Sequence, residues 1–138
     1  MLLILFLAAN AIFVALGVAH AVLTLRDLAR PRAFTPTDPA VREAMARAPL
    51  ALAPQTTVWR SWLGFNLSHS LGLIVFGSVF AALALHDFAW LQTNLAFRWS
   101  PVAVALLYAL LASRFWFRAP MLAAWLGCAL FLAAALLR

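Results

Sequence analysis

The chain has 138 residues, the length of one ordinary domain, but 67% of them are hydrophobic and 10% charged, against roughly 45–50% and 25% in a soluble protein. Small domains keep a large share of their surface in contact with solvent, so a soluble protein of this composition is excluded and the apolar surplus faces lipid. The net charge is +6, from ten arginines, no lysine and four acidic residues. Those arginines lie between apolar runs, which makes them topology signals and not the basic patch of a nucleic-acid-binding face. Cys128 is the one cysteine, which excludes an intramolecular disulfide and a CxxC redox or zinc motif.

Four segments approach or exceed the roughly 20 apolar residues of an α-helical span. Residues 2–25 form the first, before Arg26. With no basic leader and an apolar run longer than that of a signal peptide, it is expected to be a retained helix. Residues 61–85 form the second, between Arg60 and the His86-Asp87 pair. Residues 100–117 form the third, with Pro101 expected in the first turn, where its missing N–H costs nothing. Residues 120–137 form the fourth, which also opens on a proline. Tilt and local bilayer thinning accommodate the two short spans. In the loop over residues 26–60, Asp38 precedes Pro39, a capping side chain before proline at the first helical position, which predicts a short helix over residues 39–48. Val41, Met45 and Ala48 share one face of it, as suits a helix lying on the membrane surface. Residues 86–99 mix Phe88, Trp90, Leu91 and Phe97 with Gln92 and Asn94 and read as an interfacial segment.

Eight arginines fall in the 26–60 loop and in the turn between spans three and four, against Arg98 and Arg138 on the other side. The positive-inside rule then puts both Arg-rich connections in the cytoplasm and both termini outside, with Trp59, Trp62 and Trp116 at the inner interface and Trp90 and Trp99 at the outer one. The expected fold is an all-α integral membrane four-helix bundle, a single four-span domain.

Polar groups in hydrocarbon are costly unless they find partners. In span one, Asn10, Phe13, Gly17, His20 and Thr24 fall within about 80° of one another on a helix. In span two, Trp62, Asn66, His69, Ser70, Leu73 and Gly77 share one face, while Gly64, Ser68 and Gly72 form a separate stripe at the small-xxx-small spacing that lets membrane helices approach closely. A polar face and a distinct packing face are therefore expected. Ala123, Ala124, Gly127 and Cys128 repeat the small-residue spacing in span four, consistent with packing inside one bundle or with docking onto another subunit. At 1.5 Å per residue, His20 lies about 9 Å and His69 about 14 Å from the Arg-rich boundary, with Tyr108 and Cys128 roughly 9–12 Å from it. One polar layer thus crosses the cytoplasmic half of the bundle, and His20, Asn66, His69, Ser70 and Tyr108 form its candidate pocket.

Three readings of that layer stay open. It is structural glue in a small membrane protein, an accessory subunit with no cofactor of its own. Alternatively, it is a ligand-binding or enzymatic pocket with His69 as acid or base and Asn66, Ser70 and Tyr108 as orienting donors. In the third reading, His20 and His69 are the axial ligands of a b-type haem. No span holds a carboxylate, so neither a zinc or di-iron site nor a Ser-His-Asp triad assembles there, and no other metal is expected. Asp38 and Glu43 have the ordinary roles of helix capping and of a solvated surface facing arginines.

The run Gly64-Phe65-Asn66-Leu67-Ser68-His69-Ser70-Leu71-Gly72, preceded by Trp62 and by Gly17-Val18-Ala19-His20, resembles an uncharacterised family of small bacterial four-span membrane proteins. The likeness covers the whole length in outline, including the loop from Phe34 to Met45. It implies the four-span topology and draws attention to Asn66, Ser68, His69 and Ser70, without naming a reaction. Arginine without lysine and abundant alanine fit a GC-rich genome. The expected location is the bacterial cytoplasmic membrane, with the lipid bilayer, other membrane subunits or further copies of the chain as partners and no nucleic acid.

Overall fold

With no water in the bilayer core, a spanning segment must satisfy its backbone internally, and a helix does so within one segment. The computed structural model describes residues 1–137 and places them almost wholly in helices: α1 (Leu2–Ala29), α2 (Pro39–Arg47), α3 (Val58–Thr93), α4 (Leu95–Phe115) and α5 (Arg118–Leu136). Four of these, α1, α3, α4 and α5, are long and apolar enough to cross a membrane. The short α2 is capped by Asp38, whose carboxylate accepts from the Ala40 amide at 2.8 Å, with Pro39 opening the first turn. Glu43 pairs with Arg47 one turn on.

Two compact units divide the chain, one made of Met1–Leu16 with Leu73–Arg138 and the other of Gly17–Gly72. In the first, parts of all four long helices share one core, which makes the fold an all-α four-helix bundle. Phe6, Ala9 and Phe13 of α1 meet Leu73 and Ala84 of α3, Ala105 of α4 and Phe131 of α5. Phe13 is fully buried and sets its ring edge-to-face against Phe76 at 5.2 Å, stacking on Phe131 at 6.0 Å. Such pairs add about 0.5–1.5 kcal/mol beyond the area they bury. Outward lie Leu107, Leu111, Phe115, Leu122 and Leu126, each more than half exposed, a surface that suits lipid.

Close approach in this unit rests on two glycines. A Cβ on Gly77 would lie 2.7 Å from the Asn10 carbonyl oxygen, and one on Gly127 2.7 Å from the Phe13 ring. The small residues Ala124, Gly127 and Cys128 of α5 are all buried, so that face packs inside the bundle. The corresponding stripe on α3 does the opposite. Gly64, Ser68 and Gly72 are exposed, and a Cβ on Gly64 would meet nothing within 4 Å. The face that packs is the polar one, with Asn66, Ser70, Leu73 and Gly77 buried. Partners for polar groups outweigh small size in choosing which side turns inward, because an unpartnered amide in hydrocarbon costs several kcal/mol.

The segment over residues 86–99 also differs from expectation. The helix does not stop at the His86-Asp87 pair but breaks there, with Asp87 at φ −153° and ψ 90°, its carboxylate accepting from the Trp90 amide. Asn94 then caps α4, accepting from the amides of Ala96 and Phe97, so α4 starts five residues before the expected boundary of residue 100. Pro101 consequently sits inside α4, beyond the first turn. Arg98, read from the sequence as an outer topology charge, is buried instead, and its Nε donates to the Ala135 carbonyl at 2.8 Å, with Nη2 on the same oxygen. That carbonyl lies in the last turn of α5, where intrahelical donors run out and a cation is favourable.

Gly77→Ala and Gly64→Ala separate the two faces of α3. The first is expected to destabilise the protein by about 1–3 kcal/mol through overpacking against backbone. The second should be neutral or slightly stabilising through helix propensity. Thermal unfolding of both variants in one detergent measures the contrast.

Candidate functional site

The stripe on α1 is buried along its length, at Asn10, Phe13, Gly17, His20, Thr24 and, one turn further, Asp27. Its last three members, with α3 and the start of the loop, build a polar cluster in the Gly17–Gly72 unit. At its centre, His20 Nε2 lies 2.8 Å from Asn66 Oδ1. The Asn66 amide nitrogen donates to the Trp62 carbonyl at 2.7 Å, which leaves Oδ1 as acceptor and makes His20 Nε2–H the donor. Ser70 Oγ donates to the Asn66 carbonyl and Thr24 Oγ1 to the His20 carbonyl, each one helical turn back along its own helix. His69 sets its ring edge-to-face against His20, with centroids 5.2 Å apart.

Phe34 closes over this cluster, its ring centroid 4.4 Å from that of His20. It is held from both sides of its own backbone. The Phe34 N–H donates to Asp27 Oδ2 at 2.7 Å, and the Phe34 carbonyl accepts from Trp62 Nε1–H at 3.0 Å. Asp27 is 2% exposed and takes three further bonds, from the amides of Arg32 and Ala33 to Oδ1 and from the Thr35 hydroxyl to Oδ2. Four donors and no acceptor are the partner set of a carboxylate rather than of a carboxylic acid.

Of the five pocket residues expected from sequence, His20, Asn66, His69 and Ser70 come together. Tyr108 belongs to the other unit, where its ring packs 6.0 Å from Phe13, and Cys128 lies in the core of that same unit. Asp38 and Glu43 serve α2 as N-cap and ion-pair partner. Asp27 and Phe34 are the residues that sequence reasoning passed over. The signal for Asp27 was an acidic residue in the last turn of a helix, where the macrodipole disfavours it, on the same face as His20 and Thr24. Nothing local in the sequence marks Phe34.

Among the described residues, no group of three or more His, Cys, Asp or Glu side chains is placed to hold a metal ion. A haem iron between His20 and His69 would need a ligating nitrogen on each ring and a porphyrin-wide gap. Here His20 Nε2 carries a proton shared with Asn66, its ring meets that of His69 edge to face, and Phe34 packs against the same ring. The arrangement does not fit the cofactor. Comparison of the chain with protein-family models, with curated proteins and with solved structures found no match.

Asn66→Ala removes the partner of His20 and the donor to Trp62 together. It is expected to cost about 1–3 kcal/mol, the penalty for buried polar groups left unpaired. Ser68→Ala, on the exposed side with only a local bond to the Phe65 carbonyl at 2.9 Å, should fall within about 0.5 kcal/mol of the wild type. Unfolding midpoints in detergent give both values.

Proposed function

We propose that the protein is a non-catalytic accessory subunit of the bacterial cytoplasmic membrane, one of the uncharacterised small four-span family, in which the polar cluster around His20 fixes the structure. The saturation of that cluster carries the reading. Asn66 bonds at both ends of its amide, His20 Nε2–H is spent on it, and Phe34 seals the imidazole. A pocket built for a ligand keeps a few convergent polar groups free to receive it; here Asn66 and His20 Nε2 are bonded to each other, and Ser70 and Thr24 to their own helix backbones. Eight arginines at one end support an orientation with the 26–60 loop in the cytoplasm and both termini outside. The exposed apolar faces of α3, α4 and α5 suit lipid and the helices of a larger assembly alike.

Purification from native membranes in a mild detergent, with haem supplied during expression, tests the proposal. A stoichiometric membrane partner and no Soret absorption are expected. A monodisperse chain without a partner would contradict the subunit role. A bound haem or metabolite lost in His69→Ala, with folding intact, would replace it with the pocket reading.

A further inference from the structure

Where α1 ends, the chain borders a cavity of about 450 Å³ whose walls carry Arg26, Arg30 and Arg32, with Leu23 among its apolar parts. Arg26 and Arg30 stand one helical turn apart, on the same side of the chain, and Arg32 borders the same space. One acidic residue, Asp27, also borders the cavity. Its oxygens are already committed to the amides of Arg32, Ala33 and Phe34 and to the Thr35 hydroxyl. Among the described residues the one ion pair is Arg47 with Glu43, on α2. Asp27 keeps its negative charge while it is hydrogen-bonded, so three arginines border the cavity against one carboxylate and positive charge remains in excess.

Three exposed arginines around one open cavity suit an anion with several oxygens. The planar guanidinium fork matches the oxygens of a phosphate group, which it binds bidentately. The surroundings narrow the chemistry further. Leu23 lines the cavity and is exposed, so an anion seated there would lie next to apolar surface. That combination, phosphate oxygens above and hydrocarbon alongside, is what an anionic phospholipid offers at the membrane boundary. Asp27 contributes by being occupied: it ties the amides of Arg32 and Ala33 down and so sets where the Arg32 side chain starts.

We propose that Arg26, Arg30 and Arg32 form a binding site for a phosphate-bearing anion at the end of α1. Its sources are a lipid headgroup or a free phosphate, which share the same recognition chemistry. The site stands whether or not the protein is an accessory subunit, because it rests on different residues from the His20 cluster.

The full-length protein in mixed micelles is offered phosphatidylglycerol and phosphatidylcholine in equal amounts, and native mass spectrometry counts the lipid retained. Inorganic phosphate alone is titrated in parallel. The wild type is expected to favour the anionic lipid by about tenfold or more, since each arginine near such a surface adds to its attraction for anionic headgroups. R26Q/R30Q/R32Q should lose that preference, while R42Q/R47Q, which removes two arginines of α2 outside the cavity, should keep it. R26K/R30K/R32K preserves charge and membrane orientation but not the forks, and should show a reduced preference even where the glutamine variant fails to fold. Phosphate binding without lipid preference, lost in the same variants, would support the site and assign its ligand to a soluble source. Equal retention of the two lipids with no phosphate binding, equal loss in R42Q/R47Q, or a lysine variant indistinguishable from the wild type would overturn the proposal.

Discussion

The carboxylate of Asp27 is the contact on which the Gly17–Gly72 unit depends. Its four bonds gather the backbone of residues 32–34 and the Thr35 side chain around the last turn of α1. From that follow the position of Phe34 against His20, the bond from Trp62 to the Phe34 carbonyl, and the placing of Arg32 beside the cavity that Arg26 and Arg30 also line. A buried carboxylate stripped of these donors would face a desolvation cost of several kcal/mol. One residue thus couples the course of the loop to the sealing of the polar cluster and to the electrostatics of the boundary.

Elsewhere the governing constraint is the inversion of ordinary packing. Lipid accepts leucine and phenylalanine on the outside, so burial goes also to groups that need partners or allow close approach. The bundle core accordingly mixes aromatic rings with Ala9, Ala105, Gly77 and Gly127. Arg98 belongs to the same logic. Carrying a permanent charge into the structure is tolerable because the Ala135 carbonyl, an orphan of the α5 terminus, accepts from it.

Most of the helical layout was legible in the sequence, because spans are written in long apolar runs that few alternatives can use. The α1 stripe was legible for a related reason: polar and small residues recur with helical period from Asn10 to Thr24, and each of them is buried. The α3 faces were not. Small residues at positions 64, 68 and 72 match a packing motif, but the motif does not weigh them against an asparagine two residues away that needs partners. Asn66, Ser70 and the two histidines of the cluster were found by listing polar residues in apolar surroundings, a test blind to which helices meet. That blindness placed Tyr108 with them, although it packs against Phe13 in the other unit. Asp27 escaped notice because its partners are mostly backbone amides, which every residue but proline owns and no sequence pattern displays. The early start of α4 had a visible cause in Asn94, a good cap that the proline signal at residue 101 overshadowed.

In the Gly17–Gly72 unit the loop start is bonded to the end of α1, the polar cluster packs against Phe34, and three arginines border one cavity. The first two of these trace to Asp27. Hydrogen exchange in the wild type and in Asp27→Asn measures that dependence directly. The amides of Arg32, Ala33 and Phe34 are expected to exchange slowly in the wild type and about tenfold or more faster in the variant, as loss of charge-assisted bonds implies, with α4 and α5 unchanged. Equal exchange at these three amides in both proteins would contradict the central role assigned to Asp27.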